Sequence, residues 1–134
     1  MKTPVVHFEM PYKDAQRVSE FYKKAFDWQM QVMGGDFQNY VLAVTTESDE
    51  KSGRPKNPGA INGGFFERSE ENNVTSVVIS VENIDEAMKG IETAGGKILS
   101  KPQMIPGIGN WAVFEDSEGN RVSILQPSPM TNTP

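Results

Sequence analysis

Two side chains near the start of the chain could carry acid–base chemistry. His7 and Glu9 are separated by one residue within residues 5–10, which alternate as a β-strand does. Side chains two positions apart on a strand lie on one face, so the imidazole and the carboxylate should be neighbours. His7 is the only histidine, and its ordinary pKa of about 6.5 suits proton transfer near neutral pH. One interpretation is a general acid–base pair; the other is a pair that only makes hydrogen bonds within the fold.

An internal repeat supplies the elements that would position these groups. Residues 5–10 lead into a helical segment at 14–26, and residues 74–81 lead into a second one at 84–94. Shorter strand-like segments follow in each half, so we predict an α+β fold of two tandem βαβββ modules that form a curved mixed sheet around a cleft. The predicted domain covers 1–126, with module one at about 4–68 and module two at about 73–126. Residues 127–134 are expected to form a flexible tail.

Each predicted helix has one apolar face. Asp14 and Asn83 are predicted N-caps, and Gly95 is predicted to end the second helix. In each module the helix should cover one face of the strands and leave the other face open. The residues expected beneath the helices are Val6, Phe8 and Met10 in the first module and Val77, Ile79 and Val81 in the second, and those expected in the core from the first helix are Phe21, Tyr22 and Phe26.

The open faces predict a cleft between the modules. At an offset of 69 positions His7 falls on Ser76, and Tyr40 and Trp111 occupy matching places in the repeat. The two rings could clamp a flat ligand, although packing in the core or exposure at a strand edge explains them equally well. Together with His7 and Glu9, the candidate ligand-binding residues are Tyr40, Ser76, Val78, Met104, Ile108, Trp111 and Ser123.

Three connecting or irregular segments carry further expectations. Residues 47–58 are polar and should form a mobile loop, whereas 101–110 are apolar and form either a lid or a plain β-connection at the sheet edge. The adjacent Gly63 and Gly64 weaken a strand, so they predict a β-bulge or, alternatively, a close approach by backbone or ligand.

Composition excludes several classes of function. The 134 residues include no cysteine, which rules out disulfides and thiolate chemistry. The net charge of −5 disfavours nucleic acid as a partner. No apolar stretch is long enough to span a membrane, and no signal-peptide core follows the first residues, so a cytoplasmic location is expected.

Three motifs resemble the vicinal oxygen chelate superfamily, which comprises glyoxalase I, bleomycin-resistance proteins and extradiol dioxygenases. These motifs are the spacing of His7 and Asp14, the segment FYKKAFDW at 21–28, and the turn FEDSEGN at 114–120. The resemblance extends over residues 5–126 and implies the two-module fold and its cleft. It does not imply a single reaction, because its members include metalloenzymes and binding proteins.

The resemblance also implies a metal site that this sequence largely lacks. The superfamily's metalloenzymes take ligands from the first and last strand of each module, and only His7 matches. Ser76, Ser123 and one of Asn62, Gly63 or Gly64 stand at the other three positions, and they are poor ligands for a divalent cation. We therefore expect no metal and no other cofactor. The alternative is a displaced divalent site at His7 and Glu9, with Glu67 as a third ligand.

Two classes of function follow from these expectations. The first is a metal-free protein that binds a small, partly aromatic molecule in the cleft. The second is a metal-dependent lyase or dioxygenase of the glyoxalase type. The resemblance also implies a homodimer.

Overall fold

The computed structural model describes residues 2–129 and divides the chain into two compact units. One unit is His7–Thr75; the other combines the residues up to Val6 with the chain from Ser76 onward. Each unit contains one helix and a mixed sheet, which confirms the predicted α+β fold with two βαβββ repeats.

The elements of the first unit are β1 Val5–Tyr12, α1 Ala15–Phe26, β2 Gln29–Val32, β3 Val41–Val44 and β4 Asn62–Glu67. Their strand order is β2-β3-β4-β1. Strands β1 and β4 run parallel, whereas β4 with β3 and β3 with β2 are antiparallel. A 3-10 turn, Gly35–Phe37, separates β2 from β3.

Helix α1 covers one face of this sheet. Phe8 and Met10 pack under it as predicted, with Val18 and Tyr22 from the helix. The buried residues of this core are Tyr12, Val41, Ala43 and Phe65.

The prediction that Phe21 and Phe26 are core residues is wrong, because their side chains are 58% and 61% exposed. They are five positions apart and so about 140° apart around the helix, on the two flanks of the apolar stripe. The sheet covers only the centre of that stripe. Tyr22, between the flanks, stacks on Trp28 with 4.7 Å between ring centroids.

The second unit repeats this arrangement with one additional strand. Its elements are β5 Ser76–Ser80, α2 Ile84–Thr93, β6 Lys97–Ile98, β7 Gln103–Ile105, β8 Gly109–Glu115 and β9 Arg121–Pro127. The strand order is β5-β9-β8-β6, with β5 parallel to β9, and β7 also pairs with β8. Core residues from α2, β8 and β9 lie on one face of the sheet. Ile79 and Val81 contribute to this core as predicted, whereas Val77 is 37% exposed.

Both helices begin at the predicted caps. The Asp14 side chain accepts a hydrogen bond from the backbone N–H of Arg17 at 2.9 Å, and that of Asn83 accepts one from Glu86 at 3.0 Å. Gly95 follows α2 with φ of 101°, a conformation that glycine adopts without strain. Within residues 2–129, neither helix has the length and apolarity that crossing a bilayer requires. Most of the predicted tail, 130–134, lies outside the described residues, and Pro127 is the last residue of β9.

Candidate functional site

The open face of the His7–Thr75 sheet, opposite α1, carries both residues that were expected to do chemistry. In the parallel register His7 pairs with Asn62, and Glu9 pairs with Gly64. The intervening Phe8 packs toward α1, so His7 and Glu9 lie on the opposite face. The prediction that they share the face away from α1 is therefore confirmed.

Glu9 is a hydrogen-bond partner of Tyr40. The Tyr40 hydroxyl donates a hydrogen bond to the Glu9 carboxylate. Tyr40 directly precedes β3 and Glu9 is on β1, so this hydrogen bond crosses β4, which lies between those two strands. Burial, the Glu9 charge and this hydrogen bond together raise the pKa of Tyr40 well above its ordinary value. The phenol therefore stays protonated and remains a donor to Glu9 at physiological pH.

His7 has a different electrostatic environment. Burial lowers the pKa of His7 from its ordinary value of 6.5, because removing the ring from water disfavours the charged form. At neutral pH the imidazole is uncharged and offers one donor and one acceptor nitrogen.

The glycine pair is explained by two close contacts on opposite faces of β4. A Cβ at Gly63 would overlap the backbone carbonyl oxygen of Phe8 and would lie 2.6 Å from ring atoms of the same residue, on the α1 side. A Cβ at Gly64 would overlap the Tyr40 ring, on the open side. The predicted β-bulge is wrong, since β4 pairs without interruption with both β1 and β3. The alternative, a close approach, is correct: backbone and ring of Phe8 approach Gly63, and a ring approaches Gly64.

Asn62 is a site residue whose role the sequence analysis missed. This buried side chain accepts a hydrogen bond from Thr45 N at 2.9 Å and donates to Ser48 Oγ at 2.9 Å and Gly53 O at 3.3 Å. It therefore holds the loop that follows β3 against the His7 end of β4. An asparagine opening an otherwise apolar strand was the available signal, because buried amides need such partners.

The second unit brings four other predicted ligand residues onto one face. Val78 pairs with Ser123, and Ser123 pairs with Val113, so these side chains share the face away from α2. Trp111 lies two positions from Val113 and shares that face. Ser76, two positions before Val78, belongs to it as well. Val78 and Ser123 are 4% and 3% exposed.

The structure does not place Met104 and Ile108 with these residues. Residues 103–105 form β7, which pairs antiparallel with β8, so the lid interpretation of 101–110 is wrong and the β-connection at the sheet edge is correct. Met104 pairs with Asn110 and therefore lies on the face opposite Trp111, where it is 61% exposed. Ile108 is in the turn that joins β7 to β8, and it is 38% exposed. A lid would need this segment to be free to close over a ligand, but its backbone is hydrogen-bonded in the β7–β8 hairpin.

The donor groups do not fit the divalent cation that the resemblance implied. No three His, Asp or Glu side chains in the described part of the chain are grouped closely enough to hold a metal ion. The Asn62 amide is bonded to the loop on both its oxygen and its nitrogen. Glu67, the suggested third ligand, pairs with Tyr12 on the α1 side and cannot join Glu9 on the open face.

Comparisons with known proteins agree with this architecture. The Anthracycline biosynthesis protein DnrV of Streptomyces peucetius is 25% identical over 143 residues, covering 95% of this chain and 50% of that protein. The Anthracycline biosynthesis protein DauV of Streptomyces sp. strain C5 matches over the same extent at the same identity. The chain thus spans about half the length of these curated relatives.

Solved structures share the fold at low sequence identity. The methylmalonyl-CoA epimerase of Streptomyces coelicolor superposes with a TM-score of 0.69 at 14% identity, covering 96% of this chain and 100% of that one. The methylmalonyl-CoA epimerase of Mycobacterium tuberculosis gives 0.62 at 11% identity, covering 93% and 88%.

A family model matches residues 5–124, which include both helices, strands β1 to β8 and the first four residues of β9. The chain therefore belongs to the Glyoxalase/Bleomycin resistance protein/Dioxygenase superfamily.

Proposed function

We propose that this protein binds a small organic molecule on the open face of the His7–Thr75 unit and does so without a resident metal. The observation that carries the proposal is the Glu9–Tyr40 hydrogen bond seated on Gly64. A charged carboxylate and a phenol at the middle of a sheet contribute little to a hydrophobic core, since burying them has a desolvation cost. Such groups are typical of a binding surface, where a few polar groups orient a ligand among apolar ones.

The remaining side chains of this face suit an aromatic ligand. Leu42 pairs with Gly64 and Phe66 pairs with Pro11, so both lie on the open face beside the polar pair. They offer apolar contact, while neutral His7 offers a donor and an acceptor. Because Gly64 has no side chain, the Tyr40 ring lies directly on the sheet.

The relatives support a small organic ligand without naming it. Two of them carry names from anthracycline biosynthesis, and two solved structures with the same fold are methylmalonyl-CoA epimerases. Their activities remain proposals for this chain, which spans half of the first two and shares only the fold with the others.

A homodimer in the cytoplasm is part of the same proposal. Phe21, Phe26 and Val32 are all more than half exposed, and apolar side chains of this size on one unit are typical of an association surface. Light scattering on the purified protein measures the mass in solution directly.

The first test is metal binding. Untagged protein is analysed for metals and then titrated calorimetrically with nickel, zinc, iron and manganese ions. We expect no stoichiometric binding, because the described donor groups do not cluster. Stoichiometric binding that His7→Ala abolishes would instead favour the metal-dependent lyase or dioxygenase.

The second test is a thermal-shift screen of small aromatic molecules. Hits should lose affinity in Tyr40→Phe, which removes the donor to Glu9, and keep it in Tyr22→Phe, which changes a tyrosine on the α1 side. A screen whose hits bind equally well to both variants would place the ligand elsewhere.

A further inference from the structure

Strand β2 is a terminal strand of its sheet, and its outer edge carries backbone groups that another strand can pair with. Among the described strands, β3 is the only neighbour of β2. The Met33 N–H donates to Tyr40 O at 2.8 Å, so the backbone groups of Gln31, two positions earlier, also point toward β3. Those of Met30 and Val32 alternate with them and therefore point out of the sheet.

Strand β2 also lacks the features that usually protect an edge. Natural edge strands are blocked by a lysine, a proline or a bulge. The terminal strand β6 of the second unit, for example, has Lys97 as one of its two residues. By contrast, β2 has the sequence QMQV and a continuous register with β3, and Val32 is 54% exposed. An unprotected edge of this kind favours a strand that pairs with a partner.

Helix α1 extends this surface beside the edge. A groove between α1 and β2 is lined by Glu20 and Lys23 from the helix and by Met30 and Val32 from the strand. Phe26, which is exposed, follows Lys23 by three positions and so lies about 60° from it around the helix, on the same flank. The surface thus combines outward backbone groups, apolar side chains and one charge of each sign.

The strand edge is complementary to a second copy of itself. A twofold axis at Gln31 runs two β2 strands antiparallel and places Met30 of each copy opposite Val32 of the other. Because the backbone groups of both residues point outward, each of these pairs exchanges two hydrogen bonds. Both side chains lie on the α1 side, since Met30 packs against the core there and Val32 is two positions further along. The opposed side chains are therefore apolar in both pairs.

The charges on α1 match in the same way. Because α1 packs alongside β2, the same axis sets the two α1 helices antiparallel. Glu20 of one copy then lies on the side of Lys23 of the other, and the reverse contact is identical. The backbone edge alone would accept many extended peptides, but this reciprocal match of charges favours a second copy of the chain.

We infer that the outer edge of β2 and the adjacent flank of α1 form the subunit interface of a homodimer, in which β2 pairs antiparallel with β2 of a second copy. The inference rests on the homodimer proposed above and assigns the surface that forms it; it does not depend on the ligand. Of the exposed apolar side chains of this unit, it places Phe26 and Val32 in the interface and leaves Phe21 outside it.

The first experiment measures amide hydrogen exchange of the wild-type chain above and below its dimer dissociation constant, which light scattering determines. The Met30 and Val32 amides should exchange at least about tenfold more slowly in the dimer than in the monomer, whereas the Gln31 amide is protected by β3 in both. Fast exchange of both outward amides in the dimer would overturn the inference and leave the homodimer intact. A monomer at millimolar concentration would overturn both.

The second experiment blocks the edge with a charge. Val32→Lys introduces the residue that protects natural edges and should raise the dissociation constant at least about tenfold. Phe21→Lys is the matched control, because Phe21 is also exposed but lies about 160° from Lys23 around the helix. It should keep the wild-type dissociation constant. Equal effects of the two exchanges, with both variants folded by circular dichroism, would overturn the inference.

A charge exchange tests the contact between the helices. Glu20→Lys brings like charges together across the axis and should weaken the dimer by about threefold or more. Adding Lys23→Glu to the same chain restores the reciprocal pairs with reversed sign and should recover most of the lost affinity. A double variant that is weaker than Glu20→Lys would contradict the reciprocal contact and overturn the interface.

Discussion

The Tyr40 ring lies on the backbone of Gly64, in the space that a side chain at that position would fill. Gly64 pairs with Glu9 on β1 and with Leu42 on β3, so it occupies the middle of the open face. The missing Cβ therefore allows the phenol of Tyr40, next to β3, to cross β4 and reach the carboxylate of Glu9 on β1. One glycine thus determines whether the polar pair of the proposed site can form.

Gly64→Ala should destabilise the protein by about 2–4 kcal/mol, because the new methyl group overlaps the Tyr40 ring and the displaced ring loses its hydrogen bond to Glu9. Urea denaturation measures the change. Gly90→Ala is the control, since nothing lies within 4 Å of a Cβ there. It sits inside α2, where alanine should stabilise the protein by about 0.5–1 kcal/mol. Equal effects of the two exchanges would contradict the packing described here.

Tyr40→Phe should cost about 1.5–3 kcal/mol, because it removes a hydrogen bond to a charged carboxylate and leaves that carboxylate with one donor fewer. Tyr22→Phe keeps the ring that stacks on Trp28 and should change the free energy of unfolding by less than about 0.5 kcal/mol. In the Gly64→Ala background, Tyr40→Phe should cost much less than in the wild type, since the hydrogen bond is already broken. Additive costs would mean that the two residues act independently.

The fold could be predicted from the sequence because its signals are local. Alternation in residues 5–10 and 76–80 and the apolar stripe of each helix specify which faces meet, and the cores around Phe8 and Ile79 follow from them. How much of each helix surface the sheet covers is not a local property of the sequence. Phe21 and Phe26 belong to the same apolar stripe as Tyr22, yet the sheet leaves both of them exposed. The spacing of apolar residues along a helix does not tell how wide a part of that stripe the sheet will cover.

Only the part of the site that lies on a single strand could be predicted from the sequence. Spacing placed His7 and Glu9 on one face, which the register confirms. The partner of Glu9 could not be predicted, because Tyr40 reaches it across β4 and that contact depends on the register of three strands. For the same reason the glycine pair suggested a bulge: the groups that require the glycines, Phe8 at Gly63 and Tyr40 at Gly64, come from different neighbouring segments.

Asn62→Ala should destabilise the protein by about 2–4 kcal/mol, because the backbone N–H of Thr45 and the hydroxyl of Ser48 lose a buried partner. The effect should concentrate in the loop after β3, so hydrogen exchange of residues 45–58 should accelerate more than that of α2. Asn57→Ala changes an exposed asparagine in the same loop and should leave both quantities nearly unchanged. Uniform acceleration across the chain would show that Asn62 supports the whole fold instead of the loop.

Lowering the pH should destabilise the protein through His7. Burial lowers the pKa of His7 in the folded state below 6.5, so between the two values the unfolded chain binds more protons. The contribution of His7 to stability is therefore complete above pH 6.5 and is lost as the pH falls toward the folded-state pKa.

The measurement compares the free energies of unfolding of the wild type and His7→Gln at neutral pH and at about pH 5. The wild type should lose more stability than the variant over this interval, because glutamine does not titrate. Since the chain has one histidine, the imidazole resonance of untagged protein gives its pKa without an assignment. A folded-state pKa at or above 6.5 would mean that a nearby negative charge, with Glu9 as the nearest candidate on the same face, outweighs the burial of the ring.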